Sequence, residues 1–298
     1  MNRNGKVTAS IALCCVALAG CDEAPEETSA PPANSTTTAK NEAPFTGKVE
    51  ADGGSVQVSC AGEAQEGRPV VVLLHGGGDD LTKMADLQNK LSDKDLVCSY
   101  DRLGAGASDK PGGPQTIADS GDVLTAVIDR VAGDAPVVLA GHSLGGLLAA
   151  RYAPDHQDRV AGLVLLDATS PTQSADLKAI VPANATGPAA DLVAQTEAVL
   201  RGQNPERLVT PDGDVASAGD IPVQVVQHGK PYLAEAVPEY GQDMEQAWAQ
   251  GQRKWLAVSS DSTLVTAPNS GHYVHVDEPE VAVRAIQQVV AQAAEHNG

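Results

Sequence analysis

Gly141-His142-Ser143-Leu144-Gly145 is a G-x-S-x-G run set between an apolar stretch, Pro136–Ala140, and a segment of helical character, Leu144–Ala153. A serine on a strand-to-helix turn takes up a strained backbone, and side chains two residues to either side would crowd it. Such a turn lifts Oγ to the carboxyl end of a sheet, beside a helix N-terminus that favours negative charge. The chemistry this implies is nucleophilic attack on an acyl carbon, once a base takes the serine proton. The candidate base is His272, which follows Ser270-Gly271 just after the apolar run Thr263–Ala267. A second glycine-rich turn, His75-Gly76-Gly77-Gly78, ends the apolar run 69–74. Its glycines let backbone N–H groups approach and face an oxyanion.

The acid that would orient such a base is less sharply marked. Asp167 directly follows the apolar run Gly162–Leu166, whereas Val223–Val226 is followed by Gln227-His228-Gly229-Lys230-Pro231, with no carboxylate. Glu235, Glu239 and Asp243 come later and stay open as alternatives. Among the other histidines, His75 and His142 belong to turns, and His156, His228 and His296 carry no motif. His275 lies between Val274 and Val276 and is expected to pack or to cap the next helix. His272-x-x-His275 with Asp277 lacks the further His or Cys ligands of a metal site, so no metal is expected. Gly104-Ala105-Gly106 lacks the third glycine of a dinucleotide fingerprint, and no phosphate-loop lysine is present. No cofactor is expected.

These residues need a scaffold, and its pattern is readable. Short apolar runs at Val56–Cys60, 69–74, 95–100, 136–140, 160–166, 221–226 and 263–267 read as strands. Between them lie helical spacings: Met84, Leu87 and Leu91; Ile117, Leu124, Ile128 and Val131; and Val283, Ile286, Val290 and Ala293. Met244–Ala257 also reads as a helix, with Trp248 and Trp255 on one face. Alternation of this kind predicts a doubly wound, mostly parallel α/β sheet. Residues 168–220 break the rhythm, since a plain crossover needs far fewer residues. This stretch reads as a short cap insertion, with one amphipathic piece around Leu192–Leu200 and no aromatic residue.

Three further features carry a family resemblance. The run Tyr100-Asp101-Arg102-Leu103-Gly104-Ala105-Gly106-Ala107-Ser108-Asp109, the loop Gly271-His272-Tyr273 and the order serine, acid, histidine resemble the α/β-hydrolase superfamily over about residues 50–295. The resemblance implies Ser143 as nucleophile, His272 as base and the amides of Gly77 and Leu144 as oxyanion donors. It places the acid after the sixth or the seventh strand, which makes Asp167 the expected residue. Asp101, beside Arg102, reads as structural. The implied activity is hydrolysis of a small acyl substrate, a carboxylic ester first, through an acyl-enzyme. A serine nucleophile argues against dehalogenase and epoxide-hydrolase chemistry. Perhydrolase, amidase and C–C hydrolase chemistry stay open, as does a non-catalytic anchored binding protein on the same fold. The family also has strands holding Cys60 and Cys98 side by side, which implies a disulfide between them.

The N-terminus reads separately. Arg3 and Lys6 precede an apolar run, Ile11–Ala19, too short to span a bilayer. Leu18-Ala19-Gly20-Cys21 resembles the lipobox of bacterial lipoproteins. It implies a signal peptide over 1–20, lipidation of Cys21 and an exported protein held on the outer face of a membrane or in the periplasm. Residues 21–46, acidic and rich in Pro, Ser, Thr and Ala, read as a tether, and 47–298 as the folded domain. With Cys14 and Cys15 in the leader, Cys60 and Cys98 form an even pair in an oxidising compartment. The 298-residue chain carries 20 Lys plus Arg against 39 Asp plus Glu, a net charge of −19 that disfavours nucleic-acid partners.

Overall fold

The computed structural model describes residues 44–296. The expected leader over 1–20, Cys21 and residues 22–43 of the expected tether lie outside the described residues. Within them, eight strands form one sheet: β1 Thr46–Ala51, β2 Gly54–Ala61, β3 Val70–Leu74, β4 Val97–Tyr100, β5 Val137–His142, β6 Val160–Leu166, β7 Val223–His228 and β8 Ser262–Ala267. The helices are α1 Ala85–Leu91, α2 Ile117–Ala132, α3 Leu144–Tyr152, α4 Gln173–Ile180, α5 Pro188–Leu200, α6 Tyr232–Ala236, α7 Gly241–Lys254, α8 Val274–Asp277 and α9 Pro279–His296. Strand order is β1-β2-β4-β3-β5-β6-β7-β8; β2 runs antiparallel to both of its neighbours, and the pairs from β4 through β8 are parallel.

Continuous apolar runs become central strands because parallel strands are covered on both faces. All five residues of β3 are buried. Its side chains alternate between two cores. Val70, Val72 and Leu74 pack with Val123, Leu124 and Val127 of α2 and Leu147 and Leu148 of α3. Val71 and Leu73 pack with Leu87 and Leu91 of α1 and with Ile286 and Val290 of α9. A reciprocal capping box between Thr116 and Asp119 starts α2.

Strand β1 was not expected. Only Val49 of its six side chains is buried, so an edge strand there leaves no apolar run to read. It begins at Thr46, one residue before the domain start expected at 47. Cys60 and Cys98 face each other across β2 and β4 and are joined by a disulfide.

Of the stretch 168–220, expected as a cap, α4 and α5 roof the cavity over Ser143. From residue 201 the chain returns along the domain, bridging Leu208 to Gln115 and Val209 to Arg201. The rest of the roof comes from α6 and α7, beyond the expected boundary. Leu177, Val181, Ala189, Val237 and Met244 form a small core of the roof's own.

Candidate active site

Ser143 stands between β5 and α3 with φ 50° and ψ −118°, a conformation L-residues rarely adopt. The glycines around it are required by close approach. A Cβ on Gly141 would lie 2.4 Å from the Gly145 backbone, and one on Gly145 would lie 2.4 Å from the Leu74 carbonyl oxygen. The turn is held by the Ser143 N–H, which donates to the Leu166 carbonyl at 3.1 Å, and by the Ser143 carbonyl, which accepts from the Thr169 N–H at 3.1 Å.

His272 Nε2 lies 3.0 Å from Ser143 Oγ, and His272 Nδ1 lies 2.7 Å from Asp167 Oδ2. The structure therefore brings Ser143, His272 and Asp167 into one hydrogen-bonded line. Of the carboxylates left open by the sequence, Asp167 is the one that reaches His272. The His272 loop is fixed by Asp277, whose Oδ2 accepts from the Gly271 N–H at 2.8 Å, and by His142 Nε2, 3.0 Å from the His272 carbonyl oxygen.

Asp167 has no solvent exposure and also has positive φ, 47°. It accepts hydrogen bonds from the Trp248 indole at 2.9 Å, from the His228 backbone N–H at 3.1 Å and from His228 Nδ1 at 2.9 Å, besides that from His272. Burial by itself would raise its pKa. The hydrogen bonds from His228 and His272 outweigh burial and hold the carboxyl down at about 2. It is ionised at neutral pH, as the acid of such a line must be to favour an imidazolium.

His228, for which the sequence showed no motif, is a second histidine on this acid. Its Nε2 lies 2.8 Å from Glu245 Oε2, so the ring bridges two carboxylates. Burial opposes its charging, but Asp167 and Glu245 prevail and raise its pKa above the usual histidine value. The one sequence signal was positional: His228 ends β7, where the family resemblance allowed an acid. His75, His142 and His275 behave in the opposite way. Burial pushes all three down, His275 to about 4, so they stay neutral. The His142 and His272 rings lie 4.6 Å apart, and the His142 and His275 rings 4.7 Å apart.

The expected oxyanion side is built from two turns. Leu144 opens α3, so its N–H has no intrahelical acceptor. In the His75–Gly78 turn, Arg102 donates to the His75 carbonyl at 2.6 Å and to the Gly76 carbonyl at 2.9 Å. A trans peptide points its C=O and N–H in opposite directions, so the Gly77 N–H faces away from Arg102. Gly77 and Leu144 both line a cavity of about 380 Å³ that also reaches Ser143 and His272. Arg102 is itself buried and paired at 2.7 and 3.0 Å with Glu206, from the returning half of residues 168–220. That buried ion pair was not anticipated from the sequence.

A family model described as the alpha/beta hydrolase fold matches residues 69–298. A 2-(acetamidomethylene)succinate hydrolase of Mesorhizobium japonicum is 24% identical over 245 residues, spanning 74% of this chain and 88% of that protein. Among solved structures, a thermophilic esterase from Thermogutta terrifontis aligns with a TM-score of 0.60 at 18% identity, covering 84% of this chain and 99% of that one. An enol-lactonase from Burkholderia xenovorans LB400 aligns with a TM-score of 0.58 at 18% identity, covering 82% and 100%. The structural likeness at such low identity concerns the fold, with its mostly parallel sheet and flanking helices. With the family model spanning most of the folded residues, the chain belongs to the alpha/beta hydrolase fold family and is a hydrolase of that type.

Proposed function

We propose that the protein is a serine hydrolase that cleaves carboxylic esters through an acyl-enzyme. The observation that carries this reading is the line Ser143 Oγ–His272 Nε2–Asp167, at 3.0 and 2.7 Å, opening on a cavity. His272 takes the Ser143 proton as Oγ attacks the acyl carbon. The Gly77 and Leu144 amides receive the oxyanion. Asp167 holds the His272 tautomer and stabilises the imidazolium, which then protonates the leaving alcohol. Water repeats the sequence and releases the acid. An esterase and an enol-lactonase among the structural neighbours are in keeping with an ester substrate. Turnover of a graded ester panel by wild type, lost in folded Ser143→Ala and His272→Ala proteins, is the expected result. Full activity in folded Ser143→Ala protein would end this reading.

The reading includes a location. Cys21, outside the described residues, would be lipidated and would hold the domain on an outer membrane face through the segment 21–46. The disulfide between Cys60 and Cys98 supports an oxidising compartment. Mass spectrometry of the mature protein is expected to find lipidated Cys21 as first residue; cleavage elsewhere contradicts it.

A further inference from the structure

We infer that the cavity over Ser143 takes uncharged, apolar acyl chains and rejects acyl chains that end in a carboxylate; this rests on the serine-hydrolase reading above. The walls are mainly apolar, with Leu177, Leu192, Leu200, Leu233 and Met244 facing the space. Among the described residues no Lys or Arg lines it, and His272, the base, is its sole histidine. Among the described residues, Asp176 is its only acidic lining residue. The nearest cation to that carboxylate is already committed: Lys254 Nζ donates to both Asp176 oxygens at 3.0 and 3.1 Å. Ser170 and Thr172 hydroxyls add donors at 3.0 and 2.7 Å. An entering carboxylate would lose water, find no counter-ion and face Asp176. Gln173, Gln195 and Thr196 offer neutral hydrogen bonds, which do not replace a cation. The net charge of −19 repels anions further.

The test uses two esters of equal acyl length, p-nitrophenyl hexanoate and p-nitrophenyl hydrogen adipate. The expected ratio of their kcat/KM values is about 10²-fold or more in favour of hexanoate. Asp176→Asn, which frees the Lys254 cation from its ion pair beside the cavity, narrows that ratio. Gln195→Lys, on an exposed turn of α5, puts a cation on the wall and narrows it too. Equal rates on the two esters, in protein whose Ser143 is labelled by a fluorophosphonate, overturn this inference alone. A protein that neither labels nor turns over either ester overturns the serine-hydrolase reading, and this inference with it.

A separate observation assigns Arg102 and Glu206 a role as positioning residues. Arg102 is 3% exposed and Glu206 4% exposed, and their fork-to-fork pairing leaves the remaining Arg102 donors for the His75 and Gly76 carbonyls. The Gln115 side chain holds the Glu206 backbone carbonyl, and Gly104 packs against Pro205 and Glu206 at distances no side chain tolerates. The pair thereby sets the plane of the Gly76–Gly77 peptide and aims the Gly77 N–H. A donor that acts on the oxyanion strengthens only in the transition state, so its loss lowers kcat and leaves KM in place. Glu206→Gln and Arg102→Met are expected to lower kcat by about 10²-fold with KM within about threefold. Affinity for a trifluoromethyl ketone, which forms a tetrahedral oxyanion on serine, falls in parallel. Activity is counted per site titrated with fluorophosphonate, which removes any loss of folded protein from the comparison. Wild-type kcat per titrated site in both variants overturns the assignment.

Discussion

The floor of the cavity and its roof are held in different ways. The floor lies at the carboxyl ends of β5, β6 and β8, and its key residues are set by backbone: positive φ at Ser143 and Asp167, and glycines packed against main-chain oxygens. Asp167 alone accepts hydrogen bonds from two histidine rings, an indole and a backbone N–H. The roof, α4 to α7, is held by a small apolar core and by ion pairs at its surface, such as Glu197 with Lys178 and Arg201. Glu197 is buried, but its Lys178 and Arg201 partners are exposed, and pairs with such partners contribute little. A rigid floor suits a reaction that needs sub-ångström placement; a roof of side-chain contacts suits the selection of substrate. Floor changes should therefore act on kcat and roof changes on KM.

The largest test of that division is Asp167→Asn. Asparagine keeps the volume but cannot favour an imidazolium, and it can hold His272 in the wrong tautomer. A fall in kcat of about 10³–10⁴-fold is expected with little change in KM. Stopped-flow measurement of acylation checks it, and a fall confined to KM would break the comparison.

A smaller effect is expected at His228. The groups facing its ring are Asp167, Glu245, Tyr232 at 4.8 Å and Trp248 at 6.3 Å between ring centroids. His228→Asn keeps a donor to Asp167 and removes a cation. The Asp167 carboxylate then turns more uncompensated negative charge toward the catalytic line. The acid limb of the kcat/KM profile should then move to higher pH, with kcat at its plateau within about tenfold. A shift to lower pH, or none, would show that His228 is neutral in the working enzyme.

The smallest effect is expected in the roof. Met244 is 2% exposed and touches both the roof core and the cavity. Met244→Ala should raise KM for apolar esters by about tenfold and change kcat by less than about threefold. Loss of kcat equal to that of a floor variant would erase the distinction.

The same contrast explains what the sequence disclosed. The floor was legible because its signals are local: fully apolar strands, a glycine pair two residues from a serine, a histidine just past the last strand. Asp167 was legible only through the family resemblance, because a single Asp at a strand end has no pattern of its own. Strand β1 and the roof boundary were not legible: an edge strand with one buried side chain and the five-residue α6 leave weak periodicity, and α7, readable as a helix, carries no mark of where it packs. Trp248 was assigned to a helix face, but its indole bond to Asp167 joins residues 81 apart in the chain. The pair Arg102–Glu206 spans 104 positions. Contacts of that range depend on how the returning segment docks, and no spacing rule encodes them.

The most direct test of the account is covalent labelling by a fluorophosphonate, mapped by mass spectrometry, on wild type and His272→Ala. The account predicts one label per chain on the peptide carrying Ser143, formed at least about 10²-fold more slowly in the variant. Folded wild-type protein that stays unlabelled, or a label on any residue but Ser143, would contradict it.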